Sequence, residues 1–326
     1  MFKNYKNIVL AWLFIILLSC DAPHINPLDP ENPDNEFRAL QGNVQTETIP
    51  RLPIKGVNVS WQNDNIVVQT NENGDFSLSR LSNKNGNLVF YKEGFLPDTQ
   101  TIIWGEHKLL TVNKFLNSEP KIQSLAIYSS VKNEFFGKQV VSLYIEVSII
   151  DEEKDVDTVF VENDDLKISS KLNEITRGYY SRKFSKEELG LQSLEELIGK
   201  ELKIVVKDKL GYKFTIARSN LKRIISQIIT AKSPINKEDT VSVFPTLVWN
   251  KFLVGFKFSY HVQIYSEETV PQLIWEKTNI PQDSISVKVK SPISGNPDND
   301  YFWVIWAVDE FKNRTQSTPA SFKVRP

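Results

Sequence analysis

Side chains that can act as nucleophiles, general bases or metal ligands are scarce in this sequence. The 326 residues include one cysteine, Cys20, and three histidines, His24, His107 and His261. One thiol can form neither an intramolecular disulfide nor a cysteine-based metal cluster. The histidines lie far apart, without zinc-ligand spacing, and none stands near a glycine-flanked serine. The sequence therefore predicts no catalytic residues, no metal site and no cofactor.

Two runs of paired carboxylates are the remaining candidates for acid–base chemistry. They lie in Ser185–Glu188 and Ser193–Glu196, and two acids alone suffice for glycoside hydrolysis. In each run, however, a serine stands three residues before a glutamate, which is the pattern of a helix capping box. We therefore interpret these carboxylates as caps and solvated faces of two short helical turns, where the helix dipole favours negative charge.

The amino terminus has the pattern of a secretory signal peptide. Lysines precede the apolar run Ile8–Leu18, which is too short to span a bilayer but long enough for a signal sequence. The run ends in Leu17–Cys20, which resembles the bacterial lipobox, although a leucine stands where that pattern prefers a smaller residue. The resemblance implies a signal peptide at residues 1–19 and lipidation of Cys20. The alternative is an ordinary signal peptide or an uncleaved anchor, in which Cys20 is incidental.

Residues 20–36 are predicted to form a polar tether. Proline, asparagine and acidic residues dominate after Cys20, so the segment cannot bury a core and its prolines keep it extended. The carboxylates of Asp29, Glu31 and Asp34 suit calcium, but their spacing matches no calcium loop, and a solvated linker is favoured. Acyl chains such as palmitate on Cys20 would hold the protein in the cell envelope, where we expect the outer membrane, with the periplasmic or surface face left open.

Composition limits the possible partners and points to one fold class. Lys and Arg number 39 against 40 Asp and Glu, so a net charge of −1 gives no basic field to attract nucleic acid. Short runs of apolar and β-branched residues, separated by turn residues, recur from residue 37 to the end. The sequence predicts an all-β chain of tandem β-sandwich domains.

The first predicted sandwich covers residues 37–117. Four ordered motifs stand out: Gln41–Val44, Pro53–Val59, Thr70–Phe76 and Tyr91–Phe95. Their order resembles the carboxypeptidase regulatory-like domain, which implies a small prealbumin-like sandwich that serves as a non-catalytic module. Gly74 is expected to supply the turn backbone. Trp61 and Trp104 are predicted to lie in the core or at a domain junction rather than against a ligand.

The second predicted sandwich covers residues 118–228. Apolar and polar residues alternate in Val141–Ile149, and Leu202–Gly211 reads as a late strand with its turn. The order is loosely similar to bacterial immunoglobulin-like domains. The leucines around the two capping boxes are expected to close one end of this core.

The third predicted sandwich covers residues 229–326. Its diagnostic segments are Pro245–Trp249, Phe258–Tyr265, Tyr301–Asp309 and a final strand at Ser317–Val324. In this order they resemble a fibronectin type III domain, a fold that needs no disulfide. With the signal peptide, the prediction is a lipoprotein carrying prealbumin-like, immunoglobulin-like and fibronectin type III-like sandwiches in tandem.

One strand of the third sandwich is apolar on both faces. If Tyr301 and Trp303 point into the core, Phe302 and Trp306 point outward, and Tyr265 on the neighbouring strand shares their side. Phe302, Trp306 and Tyr265 are therefore candidate contacts for a sugar ring or a protein partner. The favoured alternative is that the preceding domain, or the loop Pro271–Trp275, covers this strip.

Three classes of function remain after these exclusions. The favoured one is a lipid-anchored, non-catalytic binding or scaffolding protein with a protein partner in the envelope. The second is an accessory glycan-binding lipoprotein, which requires exposed aromatic rings such as Phe302 or Trp306. The third and least favoured is an envelope hydrolase, which requires acids clustered in a cleft.

Overall fold

The computed structural model describes residues 37–294, 298 and 300–325, without the side chain of Phe136. The chain divides into two compact units, which meet in sequence between Ser118 and Glu119. The predicted signal peptide, Cys20, His24 and the acidic tether lie outside the described residues. Among the described residues, no helix reaches the length and apolar content needed to cross a membrane.

The first unit contains two β-sheets that pack face to face. Its strands are β1 (Arg38–Thr46), β2 (Asn58–Trp61), β3 (Ile66–Gln69), β4 (Asp75–Leu81), β5 (Gly86–Tyr91), β6 (Asp98–Ile102), β7 (Leu109–Thr111) and β8 (Lys114–Leu116). One sheet has the order β4-β1-β7, with β8 also paired to β1, and the other has the order β3-β2-β5-β6. Leu40, Val59 and Phe90 lie in the core between them.

The two tryptophans of this unit belong to its core. Trp61 and Trp104 are 0% and 1% exposed, and their rings meet edge to face with centroids 5.9 Å apart. Trp104 Nε1 donates a hydrogen bond to Lys84 O at 3.0 Å, so its polar atom is satisfied although the ring is buried. The prediction that these tryptophans are structural is confirmed.

The second unit contains two sandwiches. Its first sandwich has the strands β9 (Lys121–Asn133), β10 (Gln139–Ile150), β11 (Val156–Asn163), β12 (Ile168–Lys171), β13 (Asn173–Thr176), β14 (Tyr179–Phe184), β15 (Leu202–Asp208) and β16 (Lys213–Ser219). Its second has β17 (Ala231–Ser233), β18 (Thr240–Val241), β19 (Thr246–Trp249), β20 (Phe258–Ser266), β21 (Leu273–Pro281), β22 (Ser286–Lys288), β23 (Asp300–Asp309), β24 (Arg314–Gln316) and β25 (Ala320–Val324). The all-β, tandem-sandwich prediction is confirmed.

A single ten-stranded sheet runs through both sandwiches of the second unit. Its main path is β13-β14-β10-β9-β24-β23-β20-β21, and β25 and β18 complete it. The link is a short parallel pairing of β24 with β9, in which Arg314 lies beside Ser130 and Thr315 beside Val131. Two smaller sheets, β12-β11-β15-β16 and β17-β19-β22, cover the halves of this shared sheet and enclose one core each.

Strand alternation decides which side of the shared sheet faces a core. In β10 the buried residues Leu143, Ile145 and Val147 belong to the core of the first sandwich, so Tyr144 and Glu146 point to the opposite side. In β23 the same rule places Trp303 in the second core. The two cores divide earlier than the predicted domain boundary at residue 228, since Ile224 packs against the first core and Ile225 lies in the second, while the shared sheet continues through both sandwiches. The boundary at residue 228 stays a prediction.

The end of the chain differs from the predicted final strand at Ser317–Val324. Residues 317–319 separate β24 from β25, and Pro319 lacks the N–H that a continuous strand would need. Ser317 instead hydrogen-bonds the backbone of Ile305 twice, through its N–H at 2.8 Å and its hydroxyl at 3.0 Å. This break lets β24 pair with β9 while β25 pairs with the other half of β23.

Short helical structure appears at one of the two predicted turns. Leu194–Leu197 is a 3₁₀ helix with a complete Ser193/Glu196 capping box, and Leu194 and Leu197 are buried. At Ser185 a reciprocal pair of hydrogen bonds with Glu188 also forms, at 2.9 and 3.3 Å, but the following residues make a turn rather than a helix. The carboxylates of Glu188 and Glu196 serve as caps, as the spacing of a serine three residues before a glutamate predicts.

Candidate functional site

The side of the shared sheet that points away from both cores carries a dense group of aromatic and charged residues, which we call the outer face. Strand alternation and pairing register bring together side chains from six strands. They are Lys183 of β14, Tyr144 and Glu146 of β10, Tyr128, Ser130 and Lys132 of β9, Arg314 of β24, Phe302 and Trp306 of β23, and His261, Gln263 and Tyr265 of β20.

Two of the three predicted contact residues form a pair on this face. Tyr265 lies directly opposite Phe302 in the β20–β23 ladder, and their rings stack with centroids 5.3 Å apart at an interplanar angle of 14°. Both side chains are half-buried. Phe135, which follows β9 and is 45% exposed, approaches Phe302 edge to face at 6.2 Å. The preceding sandwich therefore covers part of the predicted strip.

Trp306 occupies a different environment from this pair. It is 7% exposed, and its Nε1 donates a hydrogen bond to Gln263 Oε1 at 3.0 Å. The guanidinium of Arg314 lies 5.1 Å from its ring centroid and the Lys132 ammonium lies 6.0 Å away. These neighbours occupy the surface on which a ligand ring would stack. The assignment of Phe302, Trp306 and Tyr265 as binding residues stays a prediction.

Arg314 is the centre of the outer face. Its guanidinium carbon lies 5.4 Å from the ring centroids of both Tyr128 and Tyr144, in addition to the contact with Trp306. Its Nε donates a hydrogen bond to Ser130 Oγ at 3.2 Å. Within the described residues, its two terminal nitrogens make no hydrogen bond. Three aromatic rings thus hold a half-buried guanidinium whose outer edge has donors to spare.

The tyrosines beside Arg314 are themselves fixed. The rings of Tyr128 and Tyr144 stack at 5.2 Å with an interplanar angle of 3°. The Tyr128 hydroxyl donates to Glu146 Oε1 at 2.6 Å, and Lys312 Nζ donates to Glu146 Oε2 at 3.1 Å. Burial and the neighbouring Glu146 carboxylate raise the pKa of Tyr128 far above its ordinary value, so this phenol keeps its proton and acts as a donor.

Glu146 is the counter-charge on this side of the face. Burial by itself would raise its pKa, but the hydrogen bonds from Tyr128 and Lys312 outweigh burial and hold the pKa below its ordinary value.

Glu276 of β21 is a second carboxylate with a lowered pKa, at the other end of the outer face. His261 Nε2 lies 2.9 Å from Glu276 Oε2, and this contact, followed by one from Gln263, lowers the pKa of Glu276.

Three cations on the outer face have no ion pair within the described residues: Lys132, Lys183 and Arg314. The pKa of Lys132 is lowered, first by burial and then by the positive charges of Lys183 and Arg314. The negative charge of Glu134 opposes this shift only in part. Lys312 is different, since its ammonium pairs with Glu146. The face therefore carries positive charge that the protein itself does not balance.

Sequence reasoning found the Phe302/Tyr265 end of this face and missed the Arg314 end. Tyr128 and Tyr144 are neighbours in the β9–β10 pairing. Arg314 joins them only through the β9–β24 pairing, which connects positions that are 184 residues apart. The alternation in β10 does place Tyr144 on the side opposite its core, but it carries no information about the partner strand. No local pattern in the sequence indicates the parallel contact between sandwiches.

A cavity lies at one end of the first sandwich of the second unit. It encloses about 260 Å³, and Tyr180, Glu174 and Arg177 lie on its wall. Burial and Glu174 raise the pKa of Tyr180 to about 12, so its hydroxyl stays protonated and is no base at neutral pH. Within the described ranges, no group of three or more His, Cys, Asp or Glu side chains is placed to hold a metal ion.

The described histidines have structural surroundings. His261 contacts Glu276 on the outer face, and the backbone N–H of His107 donates to Trp104 O at 3.0 Å in a turn. A nucleophilic triad needs a serine, cysteine or threonine hydrogen-bonded to such an imidazole. The described residues contain no such pair. The absence of enzymatic activity stays a prediction.

No family model matches the chain, and no curated protein matches it. Among solved structures, it is similar to fibronectin(III)-like modules of Clostridium thermocellum CbhA, with 16% identity and a TM-score of 0.29 over 63% of this chain and 92% of that chain. The FN1–FN3 domains of chicken CNTN1 match at 8% identity and a TM-score of 0.32, over 84% of this chain and 92% of that chain.

The major pilin subunit BcpA of Bacillus cereus matches at 11% identity and a TM-score of 0.28, over 89% of this chain and 96% of that chain. At such low identities and TM-scores, the sandwich assignment rests on the sheets of the molecule itself.

Proposed function

We propose that this chain is a lipid-anchored protein of the cell envelope whose β-sandwiches act as a non-catalytic binding or scaffolding module. The observation that carries the proposal is the outer face, a concentration of aromatic and cationic side chains on one continuous sheet. Tyrosine, tryptophan and arginine are the residues that contribute most to recognition surfaces. A binding role explains why unbalanced charge gathers there.

The construction of the second unit supports a presenting role. The pairing of β9 with β24 and the buried contacts around it fix the two sandwiches relative to each other. A surface that spans both sandwiches then needs no ordering when a partner binds, which lowers the entropic cost of association. Flexible tandem domains joined only by a linker would lack this advantage.

The lipid anchor is proposed from the sequence around Cys20. The test is metabolic labelling with radioactive palmitate, followed by membrane fractionation, for the native protein and for Cys20→Ala. We expect label and membrane retention in the native protein and loss of both in the variant. A matched control moves the thiol two positions, as Cys20→Ala with Ala22→Cys, and should remain unlabelled. Equal membrane retention of Cys20→Ala would refute the anchor.

The face of the membrane is decided by protease treatment of intact cells, with a periplasmic protein as the control. Digestion of the native protein while the control survives would mean surface exposure, and an extracellular partner. Protection until the envelope is broken would mean a periplasm-facing scaffold. In that case cross-linking from an exposed position of the outer face, such as Lys183, would identify the envelope partner.

A further inference from the structure

The outer face has an excess of positive charge although the chain as a whole has a net charge of −1. Its acidic groups are already engaged, Glu146 with Tyr128 and Lys312, and Glu276 with His261 and Gln263. Lys132, Lys183 and Arg314 have no ion pair in the described part of the chain. Because like charges at close range repel, such a cluster is stabilised by an anion from outside.

The guanidinium of Arg314 is held in a fixed orientation from which it can donate hydrogen bonds to an external anion. The rings of Tyr128, Tyr144 and Trp306 hold its guanidinium, and Ser130 fixes the inner edge through Nε. The two terminal nitrogens remain as donors, in the fork geometry that matches a carboxylate. Since the side chain is already ordered, binding costs less conformational entropy than it would with a free surface arginine.

The placement of the cations indicates an extended ligand with repeated charges. Lys183 lies on β14 and Arg314 on β24, with β10 and β9 between them, so their strands are about 14 Å apart. Lys132 lies on β9, between these two strands in the sheet. A single small anion cannot reach across three strand spacings, whereas a linear polyanion that crosses the strands can contact each cation in turn.

The surface also distinguishes a sugar polymer from a protein partner. Protein hot spots insert side chains into pockets, but here Tyr128 and Trp306, 5% and 7% exposed, already fill the space beneath Arg314. Around Arg314, what remains accessible is the half-buried ring of Tyr144 and the edges of the cations. A flat ring beside a fixed guanidinium suits a sugar ring that bears a carboxylate.

We infer that the outer face binds an acidic polysaccharide, with Arg314 contacting a sugar carboxylate and Lys132 and Lys183 contacting neighbouring charges along the polymer. This assignment rests on the proposed non-catalytic binding role and names the partner class of the same face. Binding is electrostatic in large part, so it weakens as salt concentration rises.

The test uses the purified full chain in detergent micelles and isothermal titration with polygalacturonate. Neutral dextran and poly-L-glutamate are the comparison polymers. We expect polygalacturonate to bind, dextran not to bind, and poly-L-glutamate to bind more weakly, since it supplies charge without sugar rings. Arg314→Gln should weaken polygalacturonate binding about tenfold or more, the loss expected for one charge-assisted contact. Arg177→Gln, an exposed arginine on the turn before β14, is the charge-matched control and should bind normally.

Because Arg314 packs on three rings, its replacement can disturb folding, so a second variant keeps the test decisive. Lys132→Gln combined with Lys183→Gln changes two exposed side chains and should lower affinity without lowering the melting temperature, since it removes two charges that repel each other. Normal affinity in this double variant would overturn the inference. Equal binding of dextran, or stronger binding of poly-L-glutamate than of polygalacturonate, would overturn it as well, the latter in favour of an acidic protein partner.

Failure here and failure of the proposed function are distinguishable. If polygalacturonate does not bind while Cys20→Ala abolishes membrane anchoring, the envelope role stands and the ligand class is wrong. If polygalacturonate binds and the Cys20 variant keeps its membrane retention, the ligand class stands and the anchor is wrong.

Discussion

Asn313 and Ser129, 184 residues apart in sequence, are joined by two hydrogen bonds in the interior of the second unit. Asn313 Oδ1 accepts one from the backbone N–H of Ser129 at 2.9 Å and one from its hydroxyl at 3.3 Å. Both residues are 0% exposed. Asp309 holds Asn313 in place, accepting hydrogen bonds from its backbone N–H at 2.8 Å and from its side-chain amide at 3.0 Å. This buried network fixes β24 against β9.

Replacement of Asn313 by alanine should lower the stability of the second unit by about 3 kcal/mol. The change leaves the Ser129 N–H without this partner, and a buried polar group that loses its partner costs about 1–3 kcal/mol. Asp309 also loses one hydrogen bond, although Arg223 Nε stays 3.4 Å from its Oδ2. Urea unfolding monitored by tryptophan fluorescence measures the loss. Asn173→Ala, at an exposed position of β13, is the control and should change stability by less than about 0.5 kcal/mol.

Asn313→Ala also tests whether the Asn313 network couples the two sandwiches or whether the β9–β24 pairing holds without it. If the network couples the sandwiches, Asn313→Ala should also broaden the transition or divide it into two, since two sandwiches that unfold independently have separate midpoints. A single sharp transition of native stability would mean that the β9–β24 pairing holds without Asn313. A double-mutant cycle with Ser129→Ala then gives the coupling energy directly.

The sequence is sufficient to predict the individual sandwiches, because each follows local rules. Alternation in Val141–Ile149 predicts β10 and its buried face, and the run Tyr301–Asp309 predicts β23. The Ser193/Glu196 pattern predicts its capping box for the same reason. Each of these signals extends over fewer than ten residues. The residues that define the strand or the cap are therefore close together in the sequence, where a local pattern can be recognised.

The shared sheet and the Arg314 environment escape such rules. Strand β24 is three residues long and polar, and its neighbour β9 lies in another sandwich, so no periodicity connects them. Asn313 reads as an ordinary turn residue after Lys312, although it is fully buried. Its burial follows from a tertiary contact that composition and spacing do not encode.

Gly74 in the first unit should be among its least replaceable residues. Its φ is +78°, and an added Cβ would lie 2.3 Å from Val44 O, closer than a carbon and an oxygen can approach. Gly74→Ala therefore combines the strain of a left-handed backbone with a clash against β1, and we expect a loss of about 2–4 kcal/mol. Thermal unfolding of the full chain, followed by circular dichroism, measures it.

Gly56 is the matched control for this prediction. Its φ is +74°, but an added Cβ meets nothing within 4 Å. Gly56→Ala should therefore cost only the backbone term, about 1–2 kcal/mol. Equal losses at the two positions would show that the contact with Val44 contributes nothing.

Glu146→Gln should flatten the acid side of the pH–stability curve. The folded-state pKa of Glu146 lies below its ordinary value, so its carboxylate contributes stability above that ordinary value, and the contribution disappears as the pH falls through the folded-state pKa. The native protein should lose melting temperature between about pH 5 and pH 3 more steeply than the variant. Glu310→Gln, at an exposed position, should follow the native curve. Parallel curves for the native protein and Glu146→Gln would contradict the depressed pKa.

Trp306 should prove a structural residue of the outer face rather than a direct ligand contact. Its ring is 7% exposed, its indole N–H is bonded to Gln263, and Arg314 lies over it. Trp306→Ala removes a large buried ring and one wall of the site that holds Arg314, so we expect a loss of about 3–5 kcal/mol in unfolding free energy. Phe135→Ala, which truncates an aromatic ring that is 45% exposed, should cost less than about 1 kcal/mol.

Trp306→Phe and Trp306→Ala together distinguish a structural role of Trp306 from a direct ligand contact, provided that stability and binding are both measured. A structural Trp306 predicts that Trp306→Phe, which keeps a ring against Arg314, recovers most of the stability and most of the affinity for polygalacturonate. A direct contact predicts the opposite, with Trp306→Ala as stable as the native protein but unable to bind. Native stability for Trp306→Ala would thus return this residue to the list of candidate contacts and remove it from the packing around Arg314.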